Sequence, residues 1–109
     1  MELSTNALTV LKARYLLKDD RGRIIESPRE MFGRIARAIA AAEESYGENA
    51  ALWEERFFDL ISSLRFLPNS PAIMNAGKPL GQLAACFVMP VEDSMLGIFD
   101  TLKNAALIL

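Results

Sequence analysis

Apolar residues recur at steps of three and four in four stretches of the chain, a spacing that predicts four amphipathic helices. In the first stretch, "STNALTVLKARYLL", Leu8, Leu11 and Tyr15 fall on one side, behind a helix cap at Ser4 or Thr5. The turn-forming residues of "KDDRG" are expected to end this helix, and "RIIES" after them predicts a short extended connector.

The second helix has the clearest pattern in the chain. Ser27, Pro28 and Glu30 form a capping-box start, with proline at the first helical position. Its predicted apolar stripe comprises Phe32, Ile35, Ile39, Ala42 and Tyr46. The residues assigned to the opposite, solvated side are Arg34, Arg37, Glu43 and Glu44. Gly47 supplies the stop signal.

A third helix is predicted to begin at a cap on Asn49. Its apolar stripe comprises Trp53, Phe57, Leu60 and Leu64. Its solvated flank comprises Glu54, Glu55, Arg56 and Asp59. Because only a short link separates them, the second and third helices are expected to pack as an antiparallel pair.

The chain changes character after the third helix. Pro68 and Pro71 are expected to end helical order, because proline cannot continue a hydrogen-bonded turn. After the loop "MNAGKPLG", the segment "QLAACFVM" is apolar, short and bounded by glycine and proline, which predicts a buried strand. A last helix is predicted behind a cap at Asp93 or Ser94. Its stripe comprises Met95, Ile98, Leu102, Ala105 and Leu109.

A single predicted strand cannot satisfy its own backbone, since its N–H and C=O groups need a neighbouring strand. The pattern therefore predicts either that residues 82–89 belong to a larger sheet or that the strand assignment is wrong. The last helix is still apolar in "NAALIL", with no stop signal, so we expect the polypeptide to continue beyond it.

Composition narrows the classes of function. A chain of 109 residues with 51% hydrophobic and 24% charged residues is typical of one globular domain. Its net charge of −2 gives no reason to expect a nucleic-acid partner, and no apolar run is long enough to span a membrane. A lone cysteine and no secretory signal favour the cytoplasm. The chain has no histidine, which excludes Ser-His-Asp triads and most zinc sites within it, and we expect no bound metal.

Cys86 is the only cysteine and the first candidate for chemistry. A free cysteine is most often a small buried hydrophobe, and the residues around Cys86 offer no base that would favour the thiolate. The alternative is a redox thiol presented from the predicted strand. Residue chemistry by itself favours the position in the core.

The second candidate is the corner "PNSP", where Asn69 and Ser70 lie between two prolines. Such a rigid polar corner suits a small anionic or sugar ligand, because little conformational entropy is lost on binding. The alternative is an ordinary turn at the end of a helix, where asparagine and serine are common. The residues alone favour the turn.

The segment "RFLPNSPAIMNAGKPLGQLAACFVMPVEDSMLGIFDTLKNAALI" resembles the beginning of the catalytic (large) subunit of ribonucleotide reductases, most of all the adenosylcobalamin-dependent class. The preceding "ALTVLKARYLLKDDRGRIIESPREMFGRIARAIAAAE" is similar to the helical N-terminal region of the same family. The resemblance implies a mainly α fold in which residues 1–66 form that helical domain. It implies that residues 67–109 begin a ten-stranded α/β barrel, incomplete here, with the strand around Cys86 as its first strand.

The resemblance also implies roles for individual residues. Cys86 matches one cysteine of a redox pair that reduces the ribose, after a thiyl radical on a downstream cysteine has abstracted the 3′-hydrogen. Asn69 and Ser70 match part of the substrate loop, and Ala85 lines the same pocket through its backbone. The implied partners are a ribonucleotide, the rest of the catalytic subunit, an external dithiol reductant and, in a homo-oligomer, further copies of the chain. The implied cofactor is adenosylcobalamin, bound mainly by residues outside this sequence.

The family's radical-bearing cysteine, the second cysteine of the redox pair and the catalytic asparagine and glutamate have no counterpart in this sequence. We therefore expect that the 109 residues do not reduce nucleotides by themselves. A second hypothesis is a non-catalytic, truncated helical module that acts in self-association or protein interaction. The sequence leaves open whether the substrate is a diphosphate or a triphosphate.

Overall fold

The computed structural model describes residues 2–109 and is mainly α-helical, as the sequence predicts. A short 3-10 helix, Ala41–Tyr46, directly continues the second α-helix. The α-helices are α1 (Thr5–Arg14), α2 (Pro28–Ala40), α3 (Ala50–Ser62), α4 (Ser70–Asn75) and α5 (Met95–Ile108). Four of these are the predicted amphipathic helices, whereas α4 lies where the sequence predicts a turn and loop.

Side chains cap the helices at the predicted positions. The Ser27 hydroxyl accepts the N–H of Glu30 at 3.2 Å, and the Glu30 carboxylate accepts the N–H of Ser27 at 2.6 Å, which is a complete capping box. The hydrogen bond from the Ser27 backbone N–H to the Glu30 carboxylate is the largest cause, and the Ser27 side chain the next, of a pKa of Glu30 below its usual value. Ser4, Asn49 and Ser94 cap α1, α3 and α5 with a side-chain oxygen that accepts backbone N–H groups of the first turn.

The core forms where α2 packs against α3. Arg29 at the start of α2 lies over the Phe58 ring near the end of α3, at 4.9 Å. Arg37 near the end of α2 pairs with Glu54 near the start of α3, at 3.2 Å. The two helices therefore run antiparallel, as predicted. The buried core residues are Leu16, Met31, Phe32, Ile35, Ile61, Ile73 and Ala76.

The predicted apolar stripe of the second helix is only partly correct. Phe32 and Ile35 are buried, but Ile39, Ala42 and Tyr46 are exposed, with 81% of Tyr46 accessible. For Ala42 and Tyr46 the cause is the change from α to 3-10 geometry after Ala40, because three residues per turn place later side chains on a different side. The predicted stripe of α3 is also only partly correct: Trp53, Phe57 and Leu60 are half-buried and Leu64 is exposed, whereas the fully buried residue of this helix is Ile61, which was not assigned to the stripe.

The prolines of "PNSP" were expected to end helical order, and that expectation is correct for Pro68, which lies outside any helix, and wrong for Pro71. Pro71 lies in the first turn of α4, where no N–H is required and the fixed φ of proline is already helical. Ala72 and Ile73 of α4 are buried, and Ile73 joins the core formed by α2 and α3. The predicted domain boundary after residue 66 stays a prediction.

The strand predicted at residues 82–89 does not form, and no strand occurs among residues 2–109; a lone bridge pairs Lys18 with Ile24. The segment contains no glycine or proline, but it also lacks a neighbouring strand, without which a ladder cannot be built. Its side chains are largely exposed, Val88 at 99%. None of the helices described for these residues is long and apolar enough to cross a membrane.

Candidate functional site

Asn69 and Ser70 lie at the start of α4, on the rim of a groove. The Asn69 side-chain oxygen accepts the N–H of Ala72 at 3.2 Å, so this residue caps the helix. The Ser70 hydroxyl is 2.9 Å from the Tyr15 hydroxyl, which comes from the end of α1. Both side chains of the corner are thus oriented by contacts within the protein while their residues remain exposed.

The groove beside this corner has a volume of about 630 Å³, a size typical of small-molecule sites. Its walls come from α1, from the start of α2 and from the segment that joins α3 to α4. Most of the lining is apolar, and its polar side chains are Asn6, Tyr15, Asn69 and Ser70. Tyr15 and Ser70 also line a second hollow of about 460 Å³, so their hydroxyl pair forms the ridge between the two spaces.

A largely buried ion pair lies behind α4. Arg34 Nη2 donates to Glu26 Oε1 at 2.8 Å, and Arg34 Nε donates to Glu26 Oε2 at 3.1 Å. Only 11% of the arginine side chain and 7% of the glutamate side chain are accessible. The sequence assigned Arg34 to the solvated side of its helix, which is wrong. Arg34 is covered because α4 and the connector before α2 pack over that side of α2. The periodicity of one helix cannot reveal such contacts with other segments.

Cys86 and Ala85 lie away from this groove, on the irregular segment between α4 and α5. Both are exposed, so the core position favoured for Cys86 by residue chemistry is wrong. The segment is fixed at its ends, where Asn75 Nδ2 donates to the Gln82 carbonyl at 2.9 Å and Thr101 Oγ1 donates to the Pro90 carbonyl at 2.8 Å. The two hollows lined by Ser70 include neither Ala85 nor Cys86, and the structure does not bring the four predicted site residues together.

Across residues 2–109, no group of three His, Cys, Asp or Glu side chains lies close enough together to hold an ion. The polar side chains that line the groove at the corner carry two hydroxyls and two amides, which recognise ligands by hydrogen bonds.

The profile of the family described as "Ribonucleotide reductase, all-alpha domain" matches residues 1–81. The chain therefore belongs to this family, and its α1–α4 are the helices of that domain. The resemblance to the N-terminal region of a reductase large subunit is confirmed.

Individual relatives agree with this assignment. The chain is 52% identical to the vitamin B12-dependent ribonucleoside-diphosphate reductase of Mycobacterium tuberculosis (strain CDC 1551 / Oshkosh), over 97% of this chain and 16% of the relative. It is 38% identical to the enzyme of the same name from Thermoplasma acidophilum, over 99% of this chain and 21% of the relative. It is 40% identical to the ribonucleoside-diphosphate reductase large chain of Neurospora crassa, over 90% of this chain and 10% of the relative. The chain thus spans about one sixth of the length of the mycobacterial relative.

Proposed function

We propose that this chain is the helical N-terminal part of a ribonucleoside di- or triphosphate reductase, an oxidoreductase that makes deoxyribonucleotides, and that it is inactive alone. The observation that carries the proposal is the 52% identity, over 97% of the chain, to a reductase named as vitamin B12-dependent. The geometry supports it with a groove of nucleotide size whose rim carries Asn69 and Ser70. The cytoplasm, where free nucleotides occur, fits this role.

In this proposal the corner at the start of α4 contacts the substrate. The Ser70 hydroxyl and the Asn69 amide are suited to the hydroxyl and phosphate groups of a ribonucleotide. Tyr15 supports the assignment because its hydroxyl, 2.9 Å from that of Ser70, limits the rotation of the serine side chain. Ala85 is assigned a backbone contact with the substrate by the family resemblance alone.

Cys86 is proposed as one thiol of the reducing pair. The pair supplies two electrons and two protons, the 2′-hydroxyl leaves as water, a C–H bond replaces the C–O bond, and the two thiols become a disulfide. The second thiol and the cysteine that carries the radical belong to the rest of the subunit, as do its barrel strands. The exposure of Cys86 supports this role, because a buried thiol could reach neither substrate nor partner cysteine.

Adenosylcobalamin supplies the radical chemistry in this class when it is bound. The groove at Ser70 does not fit a corrin ring with its side groups, because its volume of about 630 Å³ is in the range of sites for small ligands. We therefore assign the cofactor to the rest of the subunit and no step of it to this chain. An external dithiol is needed to reduce the disulfide after each turnover.

An exchange of segments tests the proposal. Residues 1–109 replace the matching segment of the mycobacterial reductase, and the chimera is assayed for B12- and dithiol-dependent deoxynucleotide formation. We expect activity in the chimera, none in its Cys86→Ser variant, and unchanged nucleotide binding in both. Ala84→Ser, on the same exposed segment, is the matched control and should stay active. Full activity of the Cys86→Ser chimera would refute the role of the thiol.

The second candidate function is association through the C-terminal part. It is favoured by the exposure of large apolar side chains on α5, including Met95, Leu96, Phe99 and Leu102. Sedimentation of the 109-residue chain, with and without nucleotide, separates the two candidates. Self-association without any nucleotide affinity favours the interaction module, whereas nucleotide-dependent activity of the chimera favours the reductase.

A further inference from the structure

α4 has only six residues, and a helix of this length is not stable by itself in water. Its position must therefore be set by contacts with the rest of the protein. At its start, the contact is the hydroxyl pair of Tyr15 and Ser70. At its end, Ile73 and Ala76 pack in the core, and the polar contact is the largely buried side chain of Arg34.

Arg34 binds the last carbonyl groups of α4. Its Nη1 donates to the Ile73 carbonyl at 3.1 Å and to the Ala76 carbonyl at 2.8 Å. Carbonyls at the end of a helix have no partner within the helix, so a buried donor there has a large effect on the position of the helix. The charge of Arg34 strengthens both hydrogen bonds.

Glu26 holds the other side of the guanidinium with both carboxylate oxygens, and this fixes the plane of the fork. One of these oxygens, Oε1, also accepts the N–H of Leu17 at 2.9 Å. The pair thus connects the chain after α1, the connector before α2, α2 itself and the end of α4. Each donor of Arg34 named here has a defined acceptor, as a buried guanidinium requires.

The backbone after α4 fits closely over this arginine. Gly77 has a φ of +79°, and a Cβ atom placed on it would lie 3.0 Å from Arg34 Cγ. Glycine at this position therefore permits both the left-handed turn and the close approach to the arginine stem. The close approach of Gly77 to Arg34 is a second observation, independent of the hydrogen bonds, which shows that the end of α4 packs against this arginine.

We propose that Arg34, oriented by Glu26, is a positioning residue of the substrate site. By holding the end of α4, it keeps Asn69 and Ser70 at a constant place on the rim of the groove, and it does not itself contact the substrate. This inference rests on the proposed function of the two rim residues. Lysine cannot replace Arg34, because a single ammonium group does not reproduce the planar fork that joins Glu26 to two carbonyls.

Hydrogen exchange of the full 109-residue chain tests the structural half of the proposal without any nucleotide. In the Arg34→Lys variant, the amides of Ala72 and Ile73 should exchange about tenfold faster, while those in the middle of α3 stay as in the original chain. The matched control is Arg37→Lys, which alters an exposed arginine that also pairs with a glutamate but touches no residue of α4. Unchanged exchange of α4 in Arg34→Lys would overturn the proposal.

Kinetics of the chimeric reductase test the functional half. Arg34→Lys should raise the nucleotide KM about fivefold or more and leave kcat within about twofold, because ground-state binding is lost while the chemistry is kept. Ser70→Ala is measured beside it. A raised KM for Ser70→Ala with an unchanged KM for Arg34→Lys overturns this inference alone. An unchanged KM in both variants overturns the proposed function, and the inference with it.

A second variant covers the case in which Arg34→Lys does not fold. Glu26→Gln keeps the shape of the partner and removes its charge, so it should loosen α4 in the same direction by a smaller factor. Circular dichroism monitors the helix content of each variant. Loss of exchange protection throughout α2 and α3 in the folded Glu26→Gln protein would show a general structural role and would overturn the positioning role.

Discussion

The part of the chain from α1 to Ala76, here called the body, differs sharply from residues 77–109, here called the tail. The body contains the buried core residues. In the tail, all of which the structure describes, no residue is buried, although Leu and Phe are as frequent there as in the body. Hydrophobic residues thus have two different environments in one chain.

The difference teaches that an apolar stripe predicts a helix but not its partner. α2 and α5 both have the predicted periodicity and a serine cap, yet α2 buries Met31, Phe32 and Ile35, whereas α5 buries no residue. Most of the stability of a protein helix comes from packing of its apolar side. The proposed site lies across this division, with Asn69 and Ser70 in the body and Cys86 in the tail.

The largest expected effect compares two methionines. Met31 is 0% exposed in the body, and Met95 is 71% exposed in the tail. We expect Met31→Ala to lower the free energy of unfolding by about 2–5 kcal/mol, because it removes buried contacts and leaves a cavity. Met95→Ala should change it by less than about 0.5 kcal/mol. Urea unfolding measures both, and similar losses in the two variants would contradict the division into body and tail.

Thiol labelling tests the same division by accessibility. Cys86 should react with a disulfide reagent in the folded chain within about threefold of its rate in urea, because it is exposed. In a Cys86→Ser background, Ala36→Cys places a thiol at a position that is 0% exposed. That thiol should react at least about 100-fold more slowly when folded, because reaction requires opening of the body. Slow labelling of Cys86 would show that the tail is covered.

A pair of glycines sharpens the boundary between the two regions. Gly77 and Gly22 have nearly the same φ, +79° and +78°, but only Gly77 has a side chain, that of Arg34, within 4 Å of an added Cβ atom. Both Gly→Ala variants should lose about 1–2 kcal/mol from the strained φ. The additional loss in Gly77→Ala measures the contact with Arg34. If thermal unfolding shows equal losses of stability in the two variants, the Arg34 side chain moves away from the added methyl group without measurable cost.

The smallest expected effect concerns pH. Because the pKa of Glu30 is lowered in the folded chain, its carboxylate stabilises the fold above its ordinary pKa of 4.5. That contribution is lost as the pH falls through the lowered value. Glu30→Gln should therefore show a shallower loss of stability between about pH 5 and pH 3.

Ser27→Ala is the control for this measurement. It removes the hydroxyl of the capping box and costs about 1 kcal/mol at neutral pH. It keeps the backbone N–H of residue 27 that is the main cause of the lowered pKa, so the acid slope should persist. An identical acid slope in Glu30→Gln and the original chain would contradict the assignment.

Local chemistry was enough to predict four of the five α-helices and their starts. The capping box of Ser27 and Glu30 and the cap at Asn49 depend on residues within a few positions of one another. The antiparallel pairing of α2 and α3 followed from the short link between them. The family could also be recognised from the sequence, because the quoted segments are specific to it.

Other features depend on contacts between distant parts of the chain. Arg34 looked solvated by its position on α2, and only the fold of Glu26, Ile73 and Ala76 around it made it a buried anchor. The predicted strand failed because pairing requires a second strand, which the described residues do not supply. Cys86 is exposed rather than buried for the same reason, since no neighbouring strand within residues 2–109 covers its segment.

The sequence by itself determined where helices begin, which family the chain belongs to and which residues are candidates for chemistry. Capping, periodicity and recognisable motifs are all properties of neighbouring residues. Only the tertiary structure decided that α4 exists, that Arg34 and Glu26 hold its end, and that the apolar tail stays uncovered. The reason is that burial is a property of contacts between segments, and such contacts leave no signature in the periodicity of any one of them.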